Sequence, residues 1–483
     1  MTRSTATHSD LGASGRRLLH AAARLAAVGA AAGLGLLILG PNTLNGGRDA
    51  LGHELRAELE REGFTGRMES TLPRRLGRRV DVKLANLGRL LWFDTVTGLN
   101  GDNTCAGCHS PTNGFGDTQA IAIGIENNGM VGPSRRGPRN MRRAPMVINT
   151  AFFPVLMWNS RFSSLSGDPF DNSAGFLFPP PEGMTLSNED HLLLAQAFIP
   201  PTERTEVTGF GFDGDNEAIR AEVARRLDAV PAYRRLFGEI FPGVRSGAPI
   251  EFSTFARAVA EFEFSLTFAN APIDRFARGD EGALTSSEER GGLLFFGQAG
   301  CAGCHSVSGT SNEMFTDFRT HAIGVPQLVP ELTNNQFDGT AADEDFGRRE
   351  ITGDVRDSYA FRTPSLRNVA VEAAYMHDGA FTSLRAAIRH HLDVRASLVS
   401  YDPSAQTLPS DLAGPIGPVV PLLEALDPLV SGRIELTATE LDDLVAFVAR
   451  GLLDPRAEPA RLRTLVPKTL PSGRPPLTFE FGR

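Results

Sequence analysis

Apolar residues recur at helical spacing along much of the chain, whereas the strict alternation typical of strands is scarce. Three stripes stand out because their members lie three or four residues apart and so share one helix face. The stripes are Ile219, Val223 and Leu227; Phe255, Val259, Phe262 and Leu266; and Leu441, Leu444, Val445 and Val448. Each stripe predicts the buried face of a helix.

Start and stop signals support these helices. Thr285 with Glu288, and Thr437 with Glu440, have the spacing of a capping box, in which each side chain satisfies a free backbone N–H of the other residue. Gly451 is placed to end the last helix. Stretches rich in glycine and proline predict long loops, at 129–145, 163–185 and 403–418. The predicted fold class is therefore mainly α, with long loops.

The N-terminal segment has the composition of an export sequence. Basic residues up to Arg24 precede an uncharged run from Leu25 to Leu39. This pattern predicts either a cleaved signal or an uncleaved anchor through residues 18–40, and hence a periplasmic protein, soluble or anchored to the inner membrane. The 483 residues carry a formal net charge of −9, which argues against nucleic acid as a partner.

All four cysteines fall in two copies of Cys-Ala-Gly-Cys-His, at 105–109 and 301–305. C-x-x-C-H is the attachment signature of c-type haem, because two thiols about one helical turn apart reach both vinyl groups of a porphyrin. A disulfide would not require the histidines, and a zinc site would need a fourth ligand at metal-finger spacing. The sequence thus predicts two covalently bound haems c. Their attachment residues are Cys105, Cys108, Cys301 and Cys304, and their iron ligands are His109 and His305.

Similar text precedes both motifs, Leu-Gly-Arg-Leu-Leu-Trp-Phe at 87–93 and Gly-Gly-Leu-Leu-Phe-Phe at 291–296. This repetition predicts a duplicated cytochrome-c-like unit. The predicted division is 1–45 for the signal or anchor, 46–75 for a linker, 76–282 for the first haem domain, and 283–483 for the second haem domain with a C-terminal tail.

Several segments between about 76 and 475 resemble the bacterial di-haem cytochrome c peroxidases and their MauG relatives. These segments are 143–149, 158–161, 196–200, Phe361–Val369 and Ala374–Gly379. The resemblance implies that hydrogen peroxide reacts at the first haem. It also implies that the second haem takes electrons from a small cytochrome c or a cupredoxin and passes them on.

The resemblance also implies roles for site residues. Gln196, Pro200 and Glu206 match the residues of the family's distal pocket, and Trp158 matches the tryptophan that lies between the haems. A carboxyl group in an apolar pocket, with its pKa raised toward neutrality, suits acid–base catalysis on peroxide. Two plainer interpretations stay open: Glu203 and Glu206 as a solvated pair on a loop, and Trp158 as core packing.

The chain departs from the family pattern at both haems. Where some members carry a histidine that caps the first haem, the corresponding segment Ala122–Glu126 has isoleucine, and no histidine lies between His109 and His191. The first haem is therefore predicted to be five-coordinate, with His191 either a substitute cap or a surface histidine. Fourteen residues past His377, where the peroxidases carry methionine and MauG carries tyrosine, this chain has His391.

Helical spacing places His391 on the apolar face of its helix, toward the core where a haem would lie, and His390 about 100° away. That face is formed by Leu384, Ala387, Ile388 and His391. His391 is the predicted sixth ligand of the second haem. Met376 is the alternative ligand, and a core histidine bonded to a carbonyl is the plainer interpretation of His391. Two histidine ligands give a lower potential than histidine with methionine.

A third departure concerns calcium, which many members hold between the domains with an asparagine of an Arg-Asn-Ala-Pro segment. Here that residue is Arg143. A cation facing a calcium site is unfavourable, so the sequence argues against calcium.

The leading hypothesis is an exported di-haem peroxidase. One alternative is a MauG-like oxidase that uses peroxide to oxidise a partner protein. The other is a non-catalytic di-haem electron-transfer cytochrome, which would need both haems to be six-coordinate.

Overall fold

Helices make up most of the regular structure, and many are only one to three turns long. The computed structural model describes residues 41–178, 189–333 and 344–482, with side chains from residue 50 onward. In chain order the α-helices are α1 (Pro41–Arg61), α2 (Met68–Arg75), α3 (Val82–Phe93), α4 (Cys105–Cys108), α5 (Leu192–Gln196), α6 (Asn216–Asp228), α7 (Pro231–Ile240), α8 (Pro242–Arg245), α9 (Phe252–Ser265), α10 (Pro272–Ala277), α11 (Ser286–Phe296), α12 (Arg349–Thr352), α13 (Leu384–Leu392), α14 (Val394–Val399), α15 (Val419–Glu424), α16 (Ala438–Ala446) and α17 (Pro459–Leu462).

The strands are two or three residues long and form small sheets. The strands are β1 (Met130–Val131), β2 (Val155–Leu156), β3 (Phe162–Ser164), β4 (Phe176–Leu177), β5 (Thr320–His321), β6 (Phe361–Arg362) and β7 (Thr478–Phe479). β1 pairs in parallel with β7, while β2–β3–β4 and β5–β6 are antiparallel. The chain is thus rich in helix with small sheets. Two of the predicted loops contain short strands: β1 lies in 129–145, and β4 with part of β3 lies in 163–185.

One helix crossing occurs twice. α3, which leads into the first C-x-x-C-H motif, packs across α9, and α11, which leads into the second, packs across α16. Glycines permit both approaches: a Cβ atom on Gly88 would lie 1.8 Å from the carbonyl oxygen of Ala258, and one on Gly291 would lie 2.0 Å from that of Asp443. The two segments of similar sequence therefore make equivalent close contacts.

The hydrophobic cores around these crossings contain many phenylalanines. In the first core, Trp92, Phe115 and Phe262 pack edge to face. In the second, the rings of Phe295 and Phe447 lie 5.5 Å apart. From Gly47 to Arg483 the chain forms one unit, and its division at residue 282 into two haem domains stays a prediction.

The predicted helix starts are confirmed. Both capping boxes form, since Thr285 and Glu288 exchange hydrogen bonds at the start of α11, and Thr437 and Glu440 do so at the start of α16. α16 continues into a π-helical turn that ends at Gly451. No helix among the described residues is long and apolar enough to cross a membrane. The predicted signal or anchor through residues 18–40 lies outside the described residues.

Candidate active site: two haem cavities

The first C-x-x-C-H motif lies in the wall of a cavity of about 190 Å³. Cys105 and Cys108 begin and end the one-turn helix α4, and His109 follows it. The His109 Nδ1–H donates to the carbonyl oxygen of Pro145 at 2.9 Å, which leaves Nε2 as the nitrogen available to a metal. Burial lowers the pKa of His109 to about 4, so the imidazole is neutral, as ligation requires.

The same cavity brings together Gln196, Pro200 and Glu206, which the family pattern assigns to the distal pocket. Gln196 is the last residue of α5, and Pro200 opens a 3₁₀ turn. Glu206 lies in a π-helical turn, Arg204–Thr208, that follows directly. Short, irregular helical turns thus direct three side chains, ten residues apart at most, into one cavity.

Glu206 has the strongly raised pKa of a buried carboxyl group. Burial raises it most, the neighbouring Glu203 carboxylate adds to the rise, and Arg161 opposes it, so that the pKa of Glu206 is about 8. Glu203 instead forms an ion pair with Arg161, at 3.1 Å between Oε1 and Nη1. The interpretation of the two glutamates as a solvated pair is therefore wrong, because both belong to the cavity wall and differ in their partners.

His109 is the one histidine among the described residues that line this cavity. Ile123 and Ile125, the isoleucines of the segment that corresponds to the family's capping histidine, are both buried. His191 is neither a surface histidine nor a cap, and both predictions for it are wrong. It is 1% exposed, its Nδ1 accepts from the backbone N–H of Leu193 at the start of α5, and its Nε2 donates to the carbonyl oxygen of Ala151. Both ring nitrogens are engaged away from the cavity.

A second cavity of about 250 Å³ contains the other C-x-x-C-H motif. The His305 Nδ1–H donates to the carbonyl oxygen of Phe315 at 3.0 Å, and the His391 Nδ1–H donates to that of Ala387 at 2.8 Å. Each imidazole is thus oriented through Nδ1 and keeps Nε2 available for a metal. Met376 also lines this cavity.

The imidazoles of His305 and His391 lie close together in the second cavity. The ring centroids of His305 and His391 are 6.3 Å apart. One metal ion could bind both rings at about this separation, since each metal–nitrogen bond is about 2 Å and each nitrogen lies about 1 Å from its ring centroid. His390, the neighbour of His391, instead bonds to the carbonyl oxygen of Ile323 and the hydroxyl of Ser397.

Both cavities fit haem c, because each combines two thiols with an imidazole whose Nδ1 is already bonded to a carbonyl oxygen. Some residues line both cavities and form what we term the shared wall. The shared wall consists of Arg143, Pro145, Met146, Phe153, Trp158 and Arg362. Trp158 is fixed within it, since its Nε1–H donates to the carbonyl oxygen of Arg143 at 2.9 Å and its own carbonyl oxygen accepts from Arg362 N–H at 2.7 Å.

Glu263 is a second buried carboxyl group of the first cavity that the sequence did not reveal. Burial raises its pKa to about 8, and its Oε2 accepts from the Thr150 hydroxyl at 3.4 Å. It shares a face of α9 with Phe255 and Val259, which also line the cavity. The sequence did carry one signal: Glu263 lies eight residues after Phe255 and four after Val259, which is the spacing of one helix face.

The Arg143 side chain is 3% exposed, and its guanidinium is surrounded by oxygen atoms of the protein. Its Nη2 lies 2.5 Å from Oε2 of Glu372 and 3.2 Å from the carbonyl oxygen of Asp117, and its Nη1 donates to the carbonyl oxygen of Ala374. The family's calcium would need such oxygens for itself. The residues present therefore do not fit calcium at this point.

Comparison with known proteins agrees with this geometry. Residues 82–282 match the family model described as "Di-haem cytochrome c peroxidase". The MauG protein of Paracoccus denitrificans is 31% identical over 396 residues, which cover 79% of this chain and 91% of that one. This chain belongs to the di-haem cytochrome c peroxidase and MauG family. The MauG protein of Methylorubrum extorquens is 33% identical over 308 residues, 63% of this chain and 67% of the other.

The family membership extends to the fold. A solved structure of a MauG-like protein associated with microbial copper homeostasis superposes with a TM-score of 0.55 at 25% identity, covering 79% of this chain and 92% of that one. As a member of this family the protein is an oxidoreductase, and the family implies two c-type haems and hydrogen peroxide as a substrate. The non-catalytic alternative is therefore set aside.

Proposed function

We propose that the protein is an exported di-haem c-type peroxidase that reduces hydrogen peroxide in the first cavity. Electrons would reach it through the second cavity from a small cytochrome c or a cupredoxin. The main support is that Gln196, Pro200 and Glu206 line the same cavity as His109. The raised pKa of Glu206 adds to it. The members of the family are generally periplasmic, and a periplasmic location with or without an anchor is part of the proposal.

Haem bound in the first cavity would supply the iron at which peroxide is reduced. The chain's part is the movement of a proton. Cleavage of the O–O bond needs a group that takes a proton from one peroxide oxygen and returns it to the other, which then leaves as water. A carboxyl group with a pKa of about 8 exchanges a proton readily near neutral pH, and Glu206 is our candidate. The Gln196 amide can donate a hydrogen bond to the leaving oxygen.

The second cavity supports an electron-transfer role. His305 and His391, each oriented by a hydrogen bond from Nδ1 to a carbonyl oxygen, would both ligate the second haem through Nε2. Closed ligation suits electron transfer better than substrate binding. Trp158 lines both cavities, which supports the proposal that its indole ring lies between the two haems. Covalent attachment through the two thiols of each motif completes the proposed arrangement.

A MauG-like oxidation of a partner protein is the second candidate. It is favoured by the absence of a second histidine among the described residues lining the first cavity, since peroxide can then react without a prior reductive step. The similarity to MauG proteins supports it as well. His391 stands where MauG carries tyrosine, so the high-valent chemistry of MauG does not follow for this chain.

The proposal is tested with Glu206→Gln in the haem-loaded protein, using the exposed Glu217→Gln as the matched control. Turnover of peroxide with a reduced small cytochrome c should be lost in the first variant and kept in the second, at unchanged haem content. Unchanged turnover in Glu206→Gln would remove Glu206 from the mechanism. Low-temperature EPR of the oxidised protein should show one high-spin and one low-spin ferric signal. Two low-spin signals would show that the first haem is capped.

A further inference from the structure

Arg143 connects two parts of the chain that are far apart in sequence. Its guanidinium contacts Asp117, which follows the first C-x-x-C-H motif, and also Glu372 and Ala374, which precede His377 of the second cavity. The contact with Glu372 is an ion pair, whereas those with the carbonyl oxygens of Asp117 and Ala374 are charge-assisted hydrogen bonds, which are about twice as strong as neutral ones. One fixed positive charge therefore joins the surroundings of the two haem cavities.

The Glu372 side chain also contacts the loop that follows the first C-x-x-C-H motif. A Cβ atom on Gly116 would lie 2.8 Å from Oε1 of Glu372, so the carboxylate packs directly on the backbone of the loop after the motif. Beside it, the Asn113 side-chain amide donates to the carbonyl oxygen of Val371 at 3.2 Å. The contact between the loop at 113–117 and the segment at 371–374 is thus closely packed, with Arg143 at its centre.

We propose that the Arg143 guanidinium, paired with Glu372, permanently replaces the calcium ion that many members of this family hold between their haem domains. The enzyme then works without calcium. Calcium requires six to eight oxygen ligands, and here a carboxylate and two carbonyl oxygens are directed at a guanidinium. A divalent cation beside a buried guanidinium would meet like charge with little screening.

The replacement also positions Trp158. The Arg143 carbonyl oxygen accepts from the Trp158 indole N–H, and the Arg143 N–H donates to the carbonyl oxygen of His377 at 2.8 Å. The side chain of Arg143 thus anchors a backbone segment that holds the tryptophan in the shared wall. Loss of the positive charge should therefore disturb the indole ring in the shared wall of the two cavities. Arg143 acts here as a positioning residue.

The test compares two variants with the wild type as haem-loaded, full-length proteins. Arg143→Asn removes the cation and adds an amide oxygen to those of Glu372, Ala374 and Asp117, so it should gain a calcium site. Arg143→Met removes the cation and adds no ligand. After equilibration with calcium chloride and gel filtration, we expect no stoichiometric calcium in the wild type or Arg143→Met, and about one ion per chain in Arg143→Asn.

Electron passage between the haems supplies the second measurement. With EGTA, the wild type should keep its rate, whereas both variants should lose most of it. Added calcium should restore Arg143→Asn and leave Arg143→Met slow, a difference that a general loss of packing would not produce. One calcium per wild-type chain, or loss of its rate in EGTA, would overturn the proposal. So would an Arg143→Asn variant that binds no calcium.

Only the rate measurement depends on the proposed roles of the two haems. The measurement of calcium content does not depend on peroxide turnover, so it tests the replacement of calcium even if the proposed function is wrong. If either variant does not fold, the wild-type metal content and its response to EGTA still decide the matter.

Discussion

Replacing Glu203 with glutamine should make the enzyme faster at pH 7. Glu203 raises the pKa of Glu206, and its removal also frees the positive charge of Arg161 to act on Glu206. Both changes lower the pKa of Glu206. Glutamine keeps the shape of the side chain and an oxygen that can accept from Arg161, so the cavity wall should remain intact.

The size of the effect follows from Coulomb's law. Glu203 and Glu206 belong to the wall of one cavity, and unit charges about 6 Å apart interact by about 0.7 to 3 kcal/mol for a dielectric constant of about 80 to 20. This corresponds to about 0.5 to 2 pKa units, and we take about one. We take the ionised form of Glu206 as the form that accepts the proton of peroxide. With a pKa near 8, about 9% of the enzyme carries ionised Glu206 at pH 7, whereas with a pKa near 7 the fraction is about 50%. The expected gain in rate is therefore about fivefold.

The assay is the pH profile of kcat/KM for peroxide, which reports the free enzyme. For the wild type we expect a rise with a midpoint near pH 8, and for Glu203→Gln the same rise at lower pH. Glu203→Asp keeps the charge and should keep the wild-type midpoint. A midpoint that stays in place or moves upward in Glu203→Gln would refute the electrostatic coupling.

His391→Met should raise the midpoint potential of the second haem, because a thioether ligand favours the ferrous state; spectroelectrochemistry measures this, with His390→Gln as the control. An unchanged potential would remove His391 as a ligand and leave Met376 as the candidate. Glu263→Gln should be stabilising relative to the wild type by an amount that grows from pH 5 to pH 8. The folded pKa of Glu263 is about 8, so within this range the unfolded chain is ionised while the fold retains the proton, and the wild type loses stability as pH rises. Urea unfolding at both pH values checks this, and a constant difference between the proteins would contradict it.

Local patterns in the sequence predicted local structure well. The capping boxes at Thr285 and Thr437 were confirmed because each consists of contacts within four residues. The stripe at 384–391 likewise predicted that His391 lies in the wall of the second cavity, where the structure places it. Its role as a ligand stays a prediction.

Interactions between distant residues were not predictable. The pairing of Arg143 with Glu372 spans more than two hundred residues, and the pattern showed only that Arg143 stands at an unusual position. The burial of His191 was missed because an N-terminal capping histidine has no apolar periodicity to mark it. Glu263 was missed because it is a single acidic residue on an apolar helix face. Periodicity alone does not tell whether the side chain of such a residue is buried or exposed.

The phenylalanine-rich packing of the cores has a consequence for the protein's own survival. The chain contains 31 phenylalanines but only 4 tyrosines and 2 tryptophans. A phenyl ring without a heteroatom is far harder to oxidise than a phenol or an indole. Both tryptophans, Trp92 and Trp158, line the first cavity, and phenylalanines pack around Trp92. Readily oxidised side chains therefore lie at the cavity itself, as these two indoles and the thioethers of Met141, Met146 and Met157. The phenyl rings behind them resist oxidation, so oxidative damage should stay at the cavity wall and spare the packing of the core.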